Sequence, residues 1–113
     1  MRIAICAKED TESSLIADHF ARAEYFVLYD HKTLSFSSII NDAKTESRGA
    51  GEKAVKILNQ HNIDIVLSPK VGPKALETLQ AFKIKSFSFK GAITAKDALY
   101  LYFENKLRPI EIP

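Results

Sequence analysis

"DHFARAEYFVLYD", residues 18–30, is the stretch on which the fold turns. Its second half, EYFVLYD (24–30), is apolar at alternate and intervening positions alike, the mark of a strand buried on both faces. Asp30-His31-Lys32-Thr33 then reads as a hairpin turn. Beyond it Leu34, Phe36 and Ile40 alternate with Ser35 and Ser37, which predicts a half-exposed strand at a sheet edge. Upstream, RIAICA (2–7) is again apolar on both faces and suits a central strand. A polar, turn-rich loop (8–17) carries the chain from its end to Asp18, which is placed to cap a short helical turn through Arg22.

The rest of the chain alternates helix and strand. After a polar loop (42–48), Ala50, Ala54, Ile57, Leu58 and His61 fall on one face of a helix that starts at Gly49 and stops near Asn62. A buried fourth strand follows (63–68). Gly72-Pro73 opens a second helix, with proline where a missing N–H is harmless and a core face of Ala75, Leu76, Leu79 and Phe82. IKSFSF (84–89) alternates and is expected at the other edge. Thr94 and Asp97 have capping-box spacing ahead of a third helix that runs to about Glu104. Right-handed crossovers, alternating strands at the edges and apolar strands in the middle lead to one α/β domain over residues 1–113. Its mixed five-stranded sheet has the order 3-2-1-4-5, with strand 2 antiparallel. The third helix is apolar nearly all round; either the tail, through Leu107, Ile110 and Ile112, or a partner or second copy covers the surplus.

Composition narrows the function classes. Hydrophobic residues make up 46% of the 113, enough for a core and against disorder. A net charge of +2 is too small to argue for nucleic acid by itself, and none is expected as partner. No apolar run is long enough to span a membrane and no secretory leader opens the chain, so a cytoplasmic location is expected. A single cysteine, Cys6, excludes an internal disulfide framework or a CxxC knuckle. Strand 1 carries no acid, Asp64 opens strand 4 at the wrong end, and no Ser-His-Asp or Cys-His pattern has support. A catalytic role is therefore not expected.

In this topology strands 1, 3, 4 and 5 end along one sheet edge, where open α/β sheets bind ligands. Four segments converge there: Cys6 to Phe20, Arg48 to Gly51, Ser68 to Gly72 and Gly91 to Thr94. The N-termini of all three helices join them with a partial positive charge. Arg48 and Lys70 add full charges, so the site favours an anion. Gly49-Ala50-Gly51 is read either as a close backbone approach for a ligand or as a plain helix start; it completes neither a Walker A loop nor a dinucleotide fingerprint.

HFARAEYFVLYD is similar to the HFGRAPYF-type segment of the dinitrogenase iron–molybdenum cofactor biosynthesis family, which includes NifX-like and NafY-like accessory proteins and the C-terminal domain of NifB. GAGEKAVKIL, VGPKALETL and GAITAKDAL match further stretches in order and spacing. The resemblance implies a ribonuclease H-like three-layer α/β fold. It also implies binding of an anionic iron–sulfur or iron–molybdenum cluster in nitrogen-fixation cofactor assembly, by a monomer or homodimer with an assembly protein as possible partner. Carried onto this chain, it makes His19, Phe20 and Arg22 cluster-binding residues, alongside Arg48, Gly49, Gly51, Lys70, Gly72 and Gly91 of the converging loops. His19 and Cys6 are the candidate metal ligands.

The chain departs from the family pattern at Ala21 (for glycine), Glu24 (for proline), Ser47-Arg48 (for a histidine) and Pro69-Lys70 (for a glycine-rich exit). Each site residue also has an ordinary reading: His19 as a structural histidine bonded to a carbonyl, Arg22 as a partner of Asp18 or Glu24, Cys6 as core filler. The leading expectation is a non-catalytic cluster carrier. The alternative is a protein–protein or regulatory module that kept the fold and lost the cluster.

Overall fold

A computed structural model describes residues 1–90 and 93–111. β1 (Arg2–Ala7) lies at the centre of the sheet, antiparallel to β2 (Tyr25–Asp30) and parallel to β4 (Ile65–Leu67). β3 (Ser35–Ile40) pairs antiparallel with β2, and β5 (Lys85–Ser88) parallel with β4. The helices are α1 (Ala50–Gln60), α2 (Pro73–Ala81) and α3 (Ala95–Phe103).

The strand pleat sorts the core into two halves. Ala4 and Cys6 of β1, with Phe26, Leu28 and Val66, pack under Ala54, Val55 and Leu58 of α1 and Ala75 and Leu79 of α2. Ile3, Ile5 and Ala7, with Val27, Tyr29, Ile65 and Leu67, pack under Ala95, Ala98 and Leu99 of α3. Both faces of β1, β2 and β4 are thus covered, which is why their sequences are apolar throughout. On α1 the buried stripe is Ala50, Ala54, Val55 and Leu58. Ile57 only packs against its border, and Phe82 past α2 is exposed.

The sheet has six strands, in the order β3-β2-β1-β4-β5-β6, rather than the expected five. The tail supplies β6 (Arg108–Pro109), antiparallel to β5. β5 is therefore not an edge: its alternation reflects Ser86 buried beneath the α2 side and Phe87 packed toward α3. The tail does cover part of the apolar surplus of α3, through Leu107. Tyr100 of that helix stays 63% exposed, and Ile112 lies outside the described residues. β3 is an edge as expected. Leu34 precedes it with φ 55, a left-handed turn position, and is 69% exposed.

Candidate functional site

β1, β4 and β5 run the same way, so Ala7, Leu67 and Ser88 end at one edge of the sheet. The loop from β1 to β2 is stitched across these ends by its backbone. Ala17 N donates to Cys6 O (3.0 Å), Ile16 N to Ile93 O (2.9 Å) and Phe20 N to Lys70 O (3.0 Å). Ser68 Oγ also donates to Lys70 O (2.9 Å), so the Lys70 backbone is held from two sides while its side chain stays exposed.

A short 3-10 turn, Phe20–Arg22, closes this loop. Phe20 is buried against Phe26, with ring centroids 5.5 Å apart, and anchors the turn from below. His19 stands at the N-cap in extended geometry and makes no side-chain cap bond. Asp18 is exposed one residue earlier and is not the cap that sequence reasoning assigned to it. The imidazole of His19 is exposed, without the carbonyl bond of a structural histidine among the described residues.

His19, Pro69, Lys70, Val71, Gly72, Ser88 and Ile110 line an open depression of about 440 Å³. A second, of about 480 Å³, shares Pro69 and Lys70 and adds Lys8, Leu15, Ile16, Asp18, Phe89 and Lys90. Together they form a basin bearing three lysines, one imidazole and one carboxylate. Among the described residues the ion pairs are Lys44–Glu24 (4.0 Å) and Lys53–Glu46 (2.7 Å), and neither involves a basin lysine. The start of α2 opens here too: Gly72 provides no side-chain cap, and Pro73 sits in the first turn. The first-turn N–H groups of that helix keep their bias toward anions.

The other predicted residues are placed differently. Arg22 donates through Nη1 to the carbonyls of Lys44 and Glu46 (2.9 Å to the latter), so its guanidinium ties the 3-10 turn to the neighbouring segment. Arg48 is exposed ahead of α1 and lines neither depression. Gly49 caps α1 at φ 69, where a side chain would be strained. A Cβ on Gly51 would sit 2.7 Å from Ala75 Cβ, so this glycine lets α1 and α2 touch. The Gly49-Ala50-Gly51 run thereby takes the plain helix-start reading. Cys6 is fully buried on the α1/α2 side of β1; burial pushes its thiol up to about 12, against a smaller opposing effect of a hydrogen bond with Ser68. The start of α3 is closed by its own capping box: Asp97 N donates to Thr94 Oγ1 (3.1 Å) and Thr94 N to Asp97 Oδ2 (3.2 Å). Gly91 lies outside the described residues.

Sequence reasoning missed Lys8, Ser88 and Lys90. A signal was present: Lys8, Lys70 and Lys90 each follow the end of a parallel strand by one to three residues. Among the described residues no group of three or more His, Cys, Asp or Glu is placed to hold a metal ion. No described helix is long and apolar enough to cross a membrane.

Solved structures resemble the chain over nearly its whole length. The apo form of the orange protein from Desulfovibrio gigas is 30% identical, with a TM-score of 0.90 over 97% of this chain and 96% of that one. A candidate NifB protein from Thermotoga, of the DUF35 family, is 31% identical, with a TM-score of 0.85 over 96% and 91%. No curated protein sequence matches significantly. The dinitrogenase iron-molybdenum cofactor family matches residues 1–105, and the chain belongs to that family.

Proposed function

We propose that this chain is a non-catalytic carrier of an anionic iron–sulfur or molybdenum–iron–sulfur cluster, acting with assembly partners in the cytoplasm as an accessory of nitrogen-fixation cofactor synthesis. The observation that supports it best is the basin at the strand exits. It holds Lys8, Lys70 and Lys90 around the exposed imidazole of His19, with Asp18 as its one carboxylate. Cations brought together without partners repel one another, and a bound polyanion removes that repulsion. The family membership and the orange protein, solved in an apo form, support the same reading.

On this reading the cluster is cargo. The lysines and the open start of α2 neutralise its charge, and His19 supplies one ligand to an exposed metal. Attachment at one point suits a cluster that arrives assembled and must leave again. Cys6 is left out of this ligand set, because it is fully buried on the α1/α2 side of β1 and lines neither depression. We read the architecture as ribonuclease H-like without the carboxylates that metal-dependent nucleases need, since β1 carries no acid. The second reading, an interaction module that has lost the cluster, is favoured by the lack of a three-ligand group among the described residues.

The test is anaerobic loading with a preassembled cluster, or with iron, sulfide and molybdate, followed by desalting. Stoichiometric metal and charge-transfer absorption in the wild type, lost in His19→Ala, are expected. A folded wild type that retains no metal turns the assignment to the interaction module.

A further inference from the structure

Ser88, Phe89 and Lys90 of the basin also line, with Lys106 and Arg108, a smaller adjoining cavity of about 280 Å³. Its construction follows from strand register. β5 and β6 pair antiparallel with Ser88 opposite Arg108. Residues opposite one another in such a ladder point to the same face, and so do those two positions further along. Lys90 and Lys106 lie two residues beyond that pair, past the end of the ladder, and line the same cavity as Ser88 and Arg108. Serine, two lysines and an arginine therefore meet there, and the cavity they line contains no carboxylate. None of the three cations belongs to an ion pair among the described residues. Like charges gathered at one cavity without partners repel one another, and a counter-ion removes that repulsion. Lys106 and Arg108 also lie beyond residues 1–105, the part matched by the family.

We propose that the tail builds a second anion subsite here, for a compact tetrahedral oxyanion held by Lys90, Lys106 and Arg108 with the Ser88 hydroxyl as a further donor. The guanidinium presents paired donors to two oxygens and the ammonium groups supply point charge. The space suits one such ion with a few waters, each of which takes about 30 Å³. The subsite adjoins the basin but does not require that a cluster bind there.

Calorimetric titration of the full chain at low ionic strength tests it, with molybdate, phosphate and sulfate in separate arms. Saturable binding of one equivalent is expected in at least one arm, with affinity about tenfold lower or more in Lys106→Gln/Arg108→Gln. Lys44→Gln, which removes a cation far from the cavity, should bind as the wild type does. No saturable binding in any arm, or equal affinity in the double variant, overturns the subsite. Cluster loading of the same proteins is read separately. A chain that takes the cluster but no oxyanion keeps the carrier reading and loses this one; the reverse keeps this one alone.

Discussion

Two cationic regions of this molecule use charge in opposite ways. Around the segment that follows β3, three cations have protein partners: Arg22 bonds the carbonyls of Lys44 and Glu46, Lys44 approaches Glu24, and Lys53 meets Glu46 at 2.7 Å. That last pair holds the Glu46 carboxyl below its usual range and lifts Lys53, both through their mutual hydrogen bond first. At the strand exits Lys8, Lys70 and Lys90 have no such partner among the described residues. The first region uses charge to hold the chain; the second leaves charge facing an open basin. His19 and Arg22 stand three residues apart in one turn and fall on opposite sides of this divide.

The divide breaks most visibly, if it is wrong, at Asn41. This buried side chain donates to Ala21 O (3.0 Å) and Ala23 O (2.9 Å) and accepts from Ala43 N (3.1 Å), tying the His19 turn to the segment after β3. Asn41→Ala is expected to lower unfolding free energy by about 3 kcal/mol, read as a lower urea midpoint. Arg22→Ala leaves two exposed carbonyls that water can reach, and about 1 kcal/mol is expected by the same measurement. A loss within error would move Arg22 to the ligand side of the comparison.

Cys6 lies in the core beneath α1 and α2 and belongs to the side that holds the fold, and alkaline titration tests this. Its thiol ionises near 9.0 when unfolded and is pushed up to about 12 when folded, so above the lower value the unfolded chain has released a proton that the folded chain keeps. Its contribution to stability is complete below the unfolded value and is lost across that window, by up to about 1.4 kcal/mol per pH unit. Cys6→Ala should show a shallower alkaline decline, whatever its absolute stability. The smallest effect is expected at Lys70→Gln: a change in stability within about 0.5 kcal/mol, since an exposed cation without a partner is being removed. Cluster retention in the same variant should fall clearly.

What the residues disclosed, and what they did not, follows the same physics. Runs such as RIAICA and EYFVLYD announced central strands because burial on both faces leaves no polar position. The α2 start was legible from Gly72-Pro73. β6 was not, because two exposed residues, one of them proline, carry no periodicity. Its absence from the reading made β5 an edge. At the site, His19 was legible through its motif and Lys70 through its place after β4. Gly51 was not separable from a ligand-facing glycine until Ala75 appeared 2.7 Å from its missing Cβ. Lys8 and Lys90 were passed over because an exposed lysine is common and only the shared sheet edge gives it meaning. Arg22 looked like an anion holder because carbonyl partners more than twenty residues away are invisible to spacing.

The most direct test compares the two regions in one experiment. Wild type, a Lys8→Gln/Lys70→Gln/Lys90→Gln variant and a Lys44→Gln control are loaded anaerobically with a preassembled iron–molybdenum–sulfur cluster, desalted and analysed for metal per chain. The account predicts near-stoichiometric metal in wild type and control, and little in the triple variant with its fold intact by circular dichroism. Equal retention in all three would contradict it, because the basin's charge would then have no part in holding the cluster.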